Sequence, residues 1–407
     1  MIADVVGAGV MTLATAFAQL GWVLAFASLI FWYIVNMYVG MLIAEAREAW
    51  PRSESFQELS LYAFGKRARL VTGVAVYSFL AFVLGDYVLI LGETLQMMFY
   101  LTPRCSLVWT SIGVVFLLPL SQIRLLALTN GLMILNVVTI VGSISLALGK
   151  LATMTAQESY ELRGNQTVYT EAIASDLTLL SFFHSQALFA FAYMGVFIYL
   201  EIISEMKNPA EFKYSLLWLS GPFQFVVYAV TGAVGYHLIG SNANGLLIKQ
   251  IPKGNAYGIA AFLLAIHMVL TFLVKGTILS RAIHSVVSPS TAKDFSTKQA
   301  HRVYFLISLG VLFFCFWVAN LIPFFDDLTS LLGAMQTPFI GFILPILFVL
   351  KARKKNHARI VETSKAEAVF MIVIVLSMIL LFFVGIVGSI GNIAQKWASY
   401  GAPFQDC

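Results

Sequence analysis

Hydrophobic positions along this chain neither alternate with polar ones nor recur on a single helical face. They come in unbroken blocks, about 15 to 30 residues long, separated by short polar stretches. Eleven blocks lie at roughly 1–20, 22–44, 70–100, 106–120, 127–149, 178–203, 213–239, 256–282, 303–323, 330–350 and 367–393. At ~1.5 Å per residue, about 20 residues of helix cross a hydrocarbon layer of ~30 Å. In hydrocarbon every backbone amide and carbonyl must be satisfied internally, which continuous blocks achieve as helices; a barrel would alternate instead. The pattern therefore predicts an all-α polytopic membrane protein with about eleven transmembrane helices, spans 1 to 11. Trp22 and Pro51 bracket the second span, and Thr102-Pro103 closes the third.

Two blocks depart from plain membrane anchors. Span 1, MIADVVGAGVMTLATAFAQL, carries Gly7, Ala8 and Gly9 near mid-depth. Span 6 lies within LTLLSFFHSQALFAFAYMGVFIYLEIISEMKNP (177–209). It holds Gly195 beside Tyr193 and Met194, then stops abruptly at Glu201, Glu205, Lys207 and Pro209. Membrane glycines often serve close helix packing. Placed at corresponding points of two halves, they also mark helices that open to expose backbone, which hydrocarbon tolerates only around a protected cavity. Spans 1 and 6 are five apart, and an odd-numbered repeat must be inverted. The expected architecture is one transmembrane transporter domain over 1–393. It comprises repeat one (about 1–150), repeat two (about 178–350) and an extra helix (about 367–393), followed by a short tail at 394–407.

Composition agrees. Hydrophobic residues are 59% and charged residues 11%, against roughly 45–50% and 25% in soluble domains. The chain cannot cover its own surface in water. The net charge of +5 follows from loop positions and does not suggest nucleic acid. With span 1 starting in the cytoplasm, eighteen of the 25 Lys and Arg residues fall in inner loops. Arg104, Lys150, Arg163, Lys249, Lys253 and Lys396 fall outside, and Lys275 lies within a span. That bias is the positive-inside rule. The long outer segment (about 151–176) contains Asn165-Gln166-Thr167, an N-glycosylation acceptor on the compatible side. Cys105, Cys315 and Cys407 form no disulfide framework or metal-ligand spacing, although Cys105 and Cys407 both fall outside. No signal peptide opens the chain, which enters the membrane almost at once and reads as truncated at its N-terminus. The sequence offers no nucleophile–base set, metal cluster or phosphate loop, so an enzyme, a resident metal and a cofactor are not expected.

GAGVMTLATAFAQLGW (7–22) resembles the first-span signature of the amino acid/auxin permease family, GxGVLxLPxAFxxLGW. Phe191 to Pro209 resembles that family's sixth span with its Glu-x-x-x-x-Met-Lys-Asn-Pro close. SFQELSLYAFG (55–65) resembles its cytoplasmic segment, and Gly232, Gly235 and Tyr236 resemble the close of its seventh span. Ala14 departs from the Pro of many relatives. The resemblance implies the five-plus-five inverted-repeat, leucine-transporter-like fold with discontinuous helices 1 and 6. It also implies proton-driven uptake of amino acids, with some relatives using sodium, carrying auxin or acting as sensors.

A zwitterionic substrate needs donors for its carboxylate, acceptors for its ammonium and an apolar wall. By the fold analogy, opened backbone at Gly7, Ala8, Gly9, Val10, Met11 and Thr12 faces the carboxylate with amides and a half-helix dipole. Opened backbone at Ala192, Tyr193, Met194 and Gly195 offers carbonyls to the ammonium, and Phe191, Tyr193 and Val196 supply the wall. Charges within spans cost several kcal/mol unpaired and are functional candidates. Lys275 in span 8 either snorkels to headgroups or stands where sodium-driven members of this fold bind their cation, which favours a proton over sodium. Asp86, in span 3, either pairs with Lys275, titrates alone or makes a structural hydrogen bond. Glu93 and Asp4 read as solvated, and His184, His237 and His267 as helix–helix hydrogen bonds or relay groups. KARKK (351–355) reads as an inner anchor, with possible contact to anionic lipid.

The resulting expectation is a secondary active transporter of amino acids working by alternating access, proton-coupled, in the plasma membrane or a vacuolar or lysosomal membrane. An amino-acid sensor with little flux and a carrier of an auxin-like aromatic acid are the alternatives.

Overall fold

The computed structural model describes residues 6–102, 104–123, 129–163, 167–243, 245–293, 296–354 and 363–400. Asp4, Asn165 and Cys407 lie outside the described residues. Among the described residues the secondary structure is helical. Eight helices are long and apolar enough to cross a membrane, and a bent pair makes a ninth crossing. The first of them, Ala8–Ala49, is 42 residues long, about twice what a bilayer core needs. It divides at Gly21, whose φ of 76° and ψ of 173° are non-helical. With the shorter apolar helix Ser106–Leu120, each of the eleven apolar blocks coincides with a helix among the described residues.

In chain order span 1 runs over 8–20 and span 2 over 22–49. Span 3 is Lys66–Met98, span 4 Ser106–Leu120, span 5 Thr129–Ala152, span 6 Leu179–Glu205 and span 7 Pro209–Ile239. Span 8 is Asn255–Val287, span 9 Lys298–Leu321, span 10 Phe325–Met335 continued by Pro338–Lys354, and span 11 Lys365–Ala398. Local chemistry sets several starts. The Thr178 side chain accepts from the Ser181 amide in a capping box that opens span 6. Thr297 and Ser364 cap spans 9 and 11 with single side-chain bonds, accepting from the Ala300 and Glu367 amides.

The chain forms two compact units. The first comprises the residues up to Val76, Val168–Ala243 and Thr329–Gly391. It contains spans 1, 2, 6 and 7, most of span 10 and much of span 11. Here span 2 packs on spans 1, 6, 7 and 10, and at one end a charged clasp closes the packing. Arg353 forks onto Glu45 with Nε–Oε1 2.7 Å and Nη2–Oε2 2.8 Å. Its Nη1 also donates to Glu367 Oε2 at 2.9 Å, and Tyr38 Oη donates to Glu367 Oε1 at 2.9 Å. This bidentate geometry joins spans 2, 10 and 11.

The second unit comprises Tyr77–Thr167, Asn244–Leu328 and the chain from Asn392. Spans 5 and 8 form its main helix pair. Ser143 Oγ donates to Ala260 O at 2.9 Å, and Asn136 Nδ2 to Thr271 Oγ1 at 3.2 Å. His267 Nδ1 lies 3.0 Å from Asn136 O, a helix–helix hydrogen bond. Glu93 is not solvated as expected. It is 5% exposed and lies 2.7 Å from Lys249, because the turn Leu247–Gln250 folds back onto span 3. Cys105 is disulfide-bonded, and Cys315 is a buried free thiol.

The junction between spans 1 and 2 is a single residue. At Gly21 the chain leaves one helix and enters the next, freeing amides and a carbonyl that a strap from the loop before span 6 satisfies. Trp22 N donates to Glu171 O (3.0 Å), Val23 N to Ala172 O (2.9 Å) and Ala174 N to Leu20 O (3.2 Å). A methyl on Gly21 would fall 2.8 Å from Ala174 N and Ile173 Cα. Its φ and ψ also belong to a region that is essentially glycine-only and costs other residues about 1–3 kcal/mol. Gly21→Ala is therefore expected to lower the melting temperature in detergent. Gly149→Ala, in a helix with nothing within 4 Å of the added methyl, is expected to leave it unchanged or raise it slightly. Parallel thermal melts of the two variants check this.

Candidate functional site

Span 6 is interrupted as the sequence leads one to expect, span 1 opens, among the described residues, on an irregular turn at its glycines, and the first unit brings the two together. Span 1 begins as a 3-10 turn, Ala8–Thr12, preceded by Gly7 in extended conformation (φ −108°, ψ −161°). Val10 N donates to Gly7 O at 3.3 Å, and Thr12 Oγ1 donates to Gly9 O at 2.9 Å. Span 6 runs as an α-helix to Ala192, turns through Tyr193, Met194 and Gly195, and passes a 3-10 turn, Val196–Ile198. It resumes as Tyr199–Glu205.

The two interruptions meet backbone to backbone. A methyl on Gly9 would lie 2.9 Å from Ala192 Cα, 3.2 Å from Ala192 N and 3.0 Å from Phe191 Cδ1. Only glycine lets the chains approach this closely. Ala8, Gly9, Val10, Met11 and Thr12 are buried, as are Phe191, Ala192, Tyr193, Met194, Gly195 and Val196; Gly7 is half-buried. All the residues expected from the two spans thus occupy one interior region.

The carbonyls of the span 6 interruption already hold donors. Met194 N donates to Phe191 O at 3.0 Å and Gly195 N to Tyr193 O at 2.8 Å. Ala192 O accepts from the hydroxyl of Tyr228 in span 7. Gln224 Nε2 donates to that hydroxyl at 3.1 Å, and Asn36 Nδ2 of span 2 donates to Gln224 Oε1 at 3.2 Å. A buried polar relay therefore runs from span 2 through span 7 to the interruption, replacing the donor that an unbroken helix would have supplied. The Tyr228 ring packs edge-on against Tyr193, with centroids 5.0 Å apart. The relay was not expected from the sequence, although three large polar side chains in apolar spans are the signal that reveals it.

Side chains of spans 1 and 2 are also tied to span 6. Gln19 Oε1 accepts from Ser185 Oγ at 2.7 Å and lies 2.9 Å from His184 Nδ1. Trp32 Nε1 donates to Gln186 Oε1 at 2.9 Å, and Gln186 Nε2 donates to Ser28 Oγ at 2.7 Å. Lys275 and Asp86 belong to the second unit. Lys275 is 5% exposed and donates from Nζ to Tyr87 Oη at 2.8 Å, so its ammonium is held inside the unit. Asp86, next to Tyr87 in sequence, is fully buried. His237 is exposed. Among the described residues no group of three His, Cys, Asp or Glu side chains is placed to hold a metal ion.

A broken helix pair in a lipid-soluble core is the arrangement of a transporter's central site, and comparison with known proteins decides the family. The profile of the family described as transmembrane amino acid transporter protein matches residues 1–390. The chain belongs to that family. It is a family of transporters, not enzymes, and its members are multi-pass integral membrane proteins. The chain is 22% identical over 365 residues to the N amino acid transport system protein of Neurospora crassa, covering 88% of this chain and 75% of that protein. It is 22% identical over 380 residues to the amino acid transporter AVT1D of Arabidopsis thaliana, covering 90% of this chain and 64% of that protein. Among solved structures it is similar to the crystal structure of MhsT in complex with L-phenylalanine. The TM-score is 0.57 at 15% identity, covering 95% of this chain and 96% of that one. The fold is the five-plus-five inverted-repeat, leucine-transporter-like fold.

The relay generates a stability prediction for this family member. Tyr228→Phe keeps the ring against Tyr193 but removes the donor to Ala192 O and the acceptor for Gln224. A buried polar group left unsatisfied costs about 1–3 kcal/mol. The variant is expected to unfold at lower temperature than wild type in detergent, whereas Tyr214→Phe, at an exposed position (70% exposed), is expected to melt with wild type.

Proposed function

We propose that this chain is a secondary active transporter that carries amino acids across a membrane by alternating access, in symport with protons. The observation that carries the reading is the close approach of the Gly9 backbone to Ala192 in a buried core, where two half-helices end. Ends of this kind present partial charges of both signs to a zwitterion. In this reading Gly7, Ala8, Gly9, Val10, Met11 and Thr12 bind the carboxylate side of the substrate. Ala192, Tyr193, Met194 and Gly195 bind its ammonium side, and Phe191, Tyr193 and Val196 contact its side chain. Repeat one (about 1–150) and repeat two (about 178–350) supply the moving parts, with the last span outside the repeat. The host membrane is the plasma membrane or a vacuolar or lysosomal one.

Lys275 and Asp86 are the proposed proton-coupling residues. A lysine buried at 5% exposure and hydrogen-bonded to a tyrosine places an exchangeable proton at a defined point inside a span, where an ionisable group is a functional candidate. A resident ammonium also disfavours a sodium ion nearby, and supports the proton over sodium.

The test is uptake of a labelled amino-acid mixture into proteoliposomes under an imposed proton gradient and, separately, an imposed sodium gradient. Accumulation driven by protons is expected. Accumulation driven by sodium alone would remove the coupling assignment, and binding without accumulation under either gradient would turn the reading toward a sensor. Two variants sharpen it. Gly9→Leu is expected to insert normally and to lose uptake entirely, since even a methyl meets Ala192 Cα at 2.9 Å. Lys275→Ala is expected to reduce the stimulation by a pH gradient; stimulation equal to wild type would assign Lys275 a purely structural role.

A further inference from the structure

Span 10 is a third interrupted helix. Phe325–Met335 and Pro338–Lys354 meet at 43°, and Pro338 to Ile343 form a π-helical turn. Pro338 has no amide to donate and its ring cannot follow the preceding turn, which accounts for both the bend and the widened turn. The sequence expectation of a continuous span over 330–350 passed over this break.

The broken part of span 10 covers the interruption of span 6. A methyl on Gly333 would fall 2.0 Å from Ala187 O and 3.2 Å from Phe191 Cβ, and a methyl on Gly341 would fall 2.7 Å from Met194 Sδ. Thr337 stands four residues after the first glycine and four before the second, about one turn from each and on the same face. Its Cγ2 lies 3.5 Å from the position of that added Gly341 methyl, so the side chain leans toward the level of Met194. Thr337 is therefore level with the interruption that lies between Phe191 and Met194.

Its hydroxyl is unusual for this protein. Thr139, Thr231, Thr271 and Thr277 each donate to the carbonyl four residues earlier in their helix, the ordinary habit of helical threonine. Thr337 is fully buried, and among the described residues its Oγ1 has no hydrogen-bond partner. An orphaned hydroxyl in a dry core is costly and calls for an explanation such as a ligand. The chemistry nearby indicates which ligand group. The carbonyls of Phe191, Ala192 and Tyr193 already hold Met194 N, the Tyr228 hydroxyl and Gly195 N, while an ammonium brings three donors.

We propose that the Thr337 hydroxyl is a direct contact for the α-ammonium of the substrate, making span 10 a third contributor to the site alongside spans 1 and 6. This rests on the reading of the protein as an amino-acid transporter. Thr329, two turns earlier, also carries a buried hydroxyl without a partner among the described residues. It precedes Gly333 and the Ala187 level, one turn further from the interruption, so it serves as an internal control.

The experiment compares wild type, Thr337→Val, Thr337→Ser and Thr329→Val in proteoliposomes. It measures KM and maximal rate for the amino acids that wild type accumulates, competition by the corresponding des-amino carboxylates, and the melting temperature without substrate. Thr337→Val is expected to raise KM about tenfold, the loss of one hydrogen bond to a charged group. It is also expected to narrow the preference for the amino acid over its des-amino analogue by a similar factor. Its substrate-free melting temperature should equal or exceed that of wild type, because the orphaned hydroxyl is gone. Thr337→Ser should restore KM, and Thr329→Val should leave it unchanged. A wild-type KM in Thr337→Val, an equal rise in Thr329→Val, or a preference for the ammonium unchanged by Thr337→Val would overturn the contact. Wild-type protein that accumulates no amino acid would instead overturn the transporter reading itself, a failure visible before any variant is compared.

Discussion

The constraint on which this structure rests is that an opened helix inside hydrocarbon must find partners for every backbone group it releases. The meeting of Gly9 with Ala192 is the point of greatest demand. Two chains approach there with no side chain between them, each at the place where its regular hydrogen-bond ladder stops. Each released group whose partner is described is satisfied by a local device: the Thr12 hydroxyl on Gly9 O, tight turns on Phe191 O and Tyr193 O, and a tyrosine from span 7 on Ala192 O. Asn36 and Gln224 hold that tyrosine in turn. The packing of spans 2 and 7 around span 6 thus serves the interruption as much as the core.

The span pattern was legible in the sequence because hydrocarbon imposes a simple rule on composition and length. The interruptions of spans 1 and 6 were legible for a related reason. Gly7, Gly9 and Gly195 stand where an anchoring helix would keep bulky apolar residues, and few physical demands other than openness or close approach select glycine there. The satisfaction of the released groups was not legible. Tyr228 and Asn36 are nearly 200 residues apart, and only the fold joins them through Gln224 into one relay. The pairing of Glu93 with Lys249 was missed for the same reason, since the lysine arrives on a loop whose return onto span 3 no local pattern announces.

Span 10 is an instructive intermediate. Pro338 inside an apolar block is a local signal of a break, and Gly341 strengthens it, yet neither matches the paired-glycine pattern of spans 1 and 6. Proline widens a helical turn by subtraction of an amide, whereas paired glycines loosen it by subtraction of side chains. The two routes leave different residues behind. At the proline break the polar group that remains buried is a side-chain hydroxyl, and at the glycine breaks it is the backbone itself.

The single-residue junction at Gly21 has a mechanical consequence. Two helices joined by a flexible loop can rotate independently, but here the stiffness of spans 1 and 2 is interrupted over one peptide unit only. That unit is itself held on both sides by the strap from Glu171 to Ala174. Torque applied to one helix at this end is passed directly to the other and to the strap. Span 1, span 2 and the strap are therefore coupled at this end as one stiff piece.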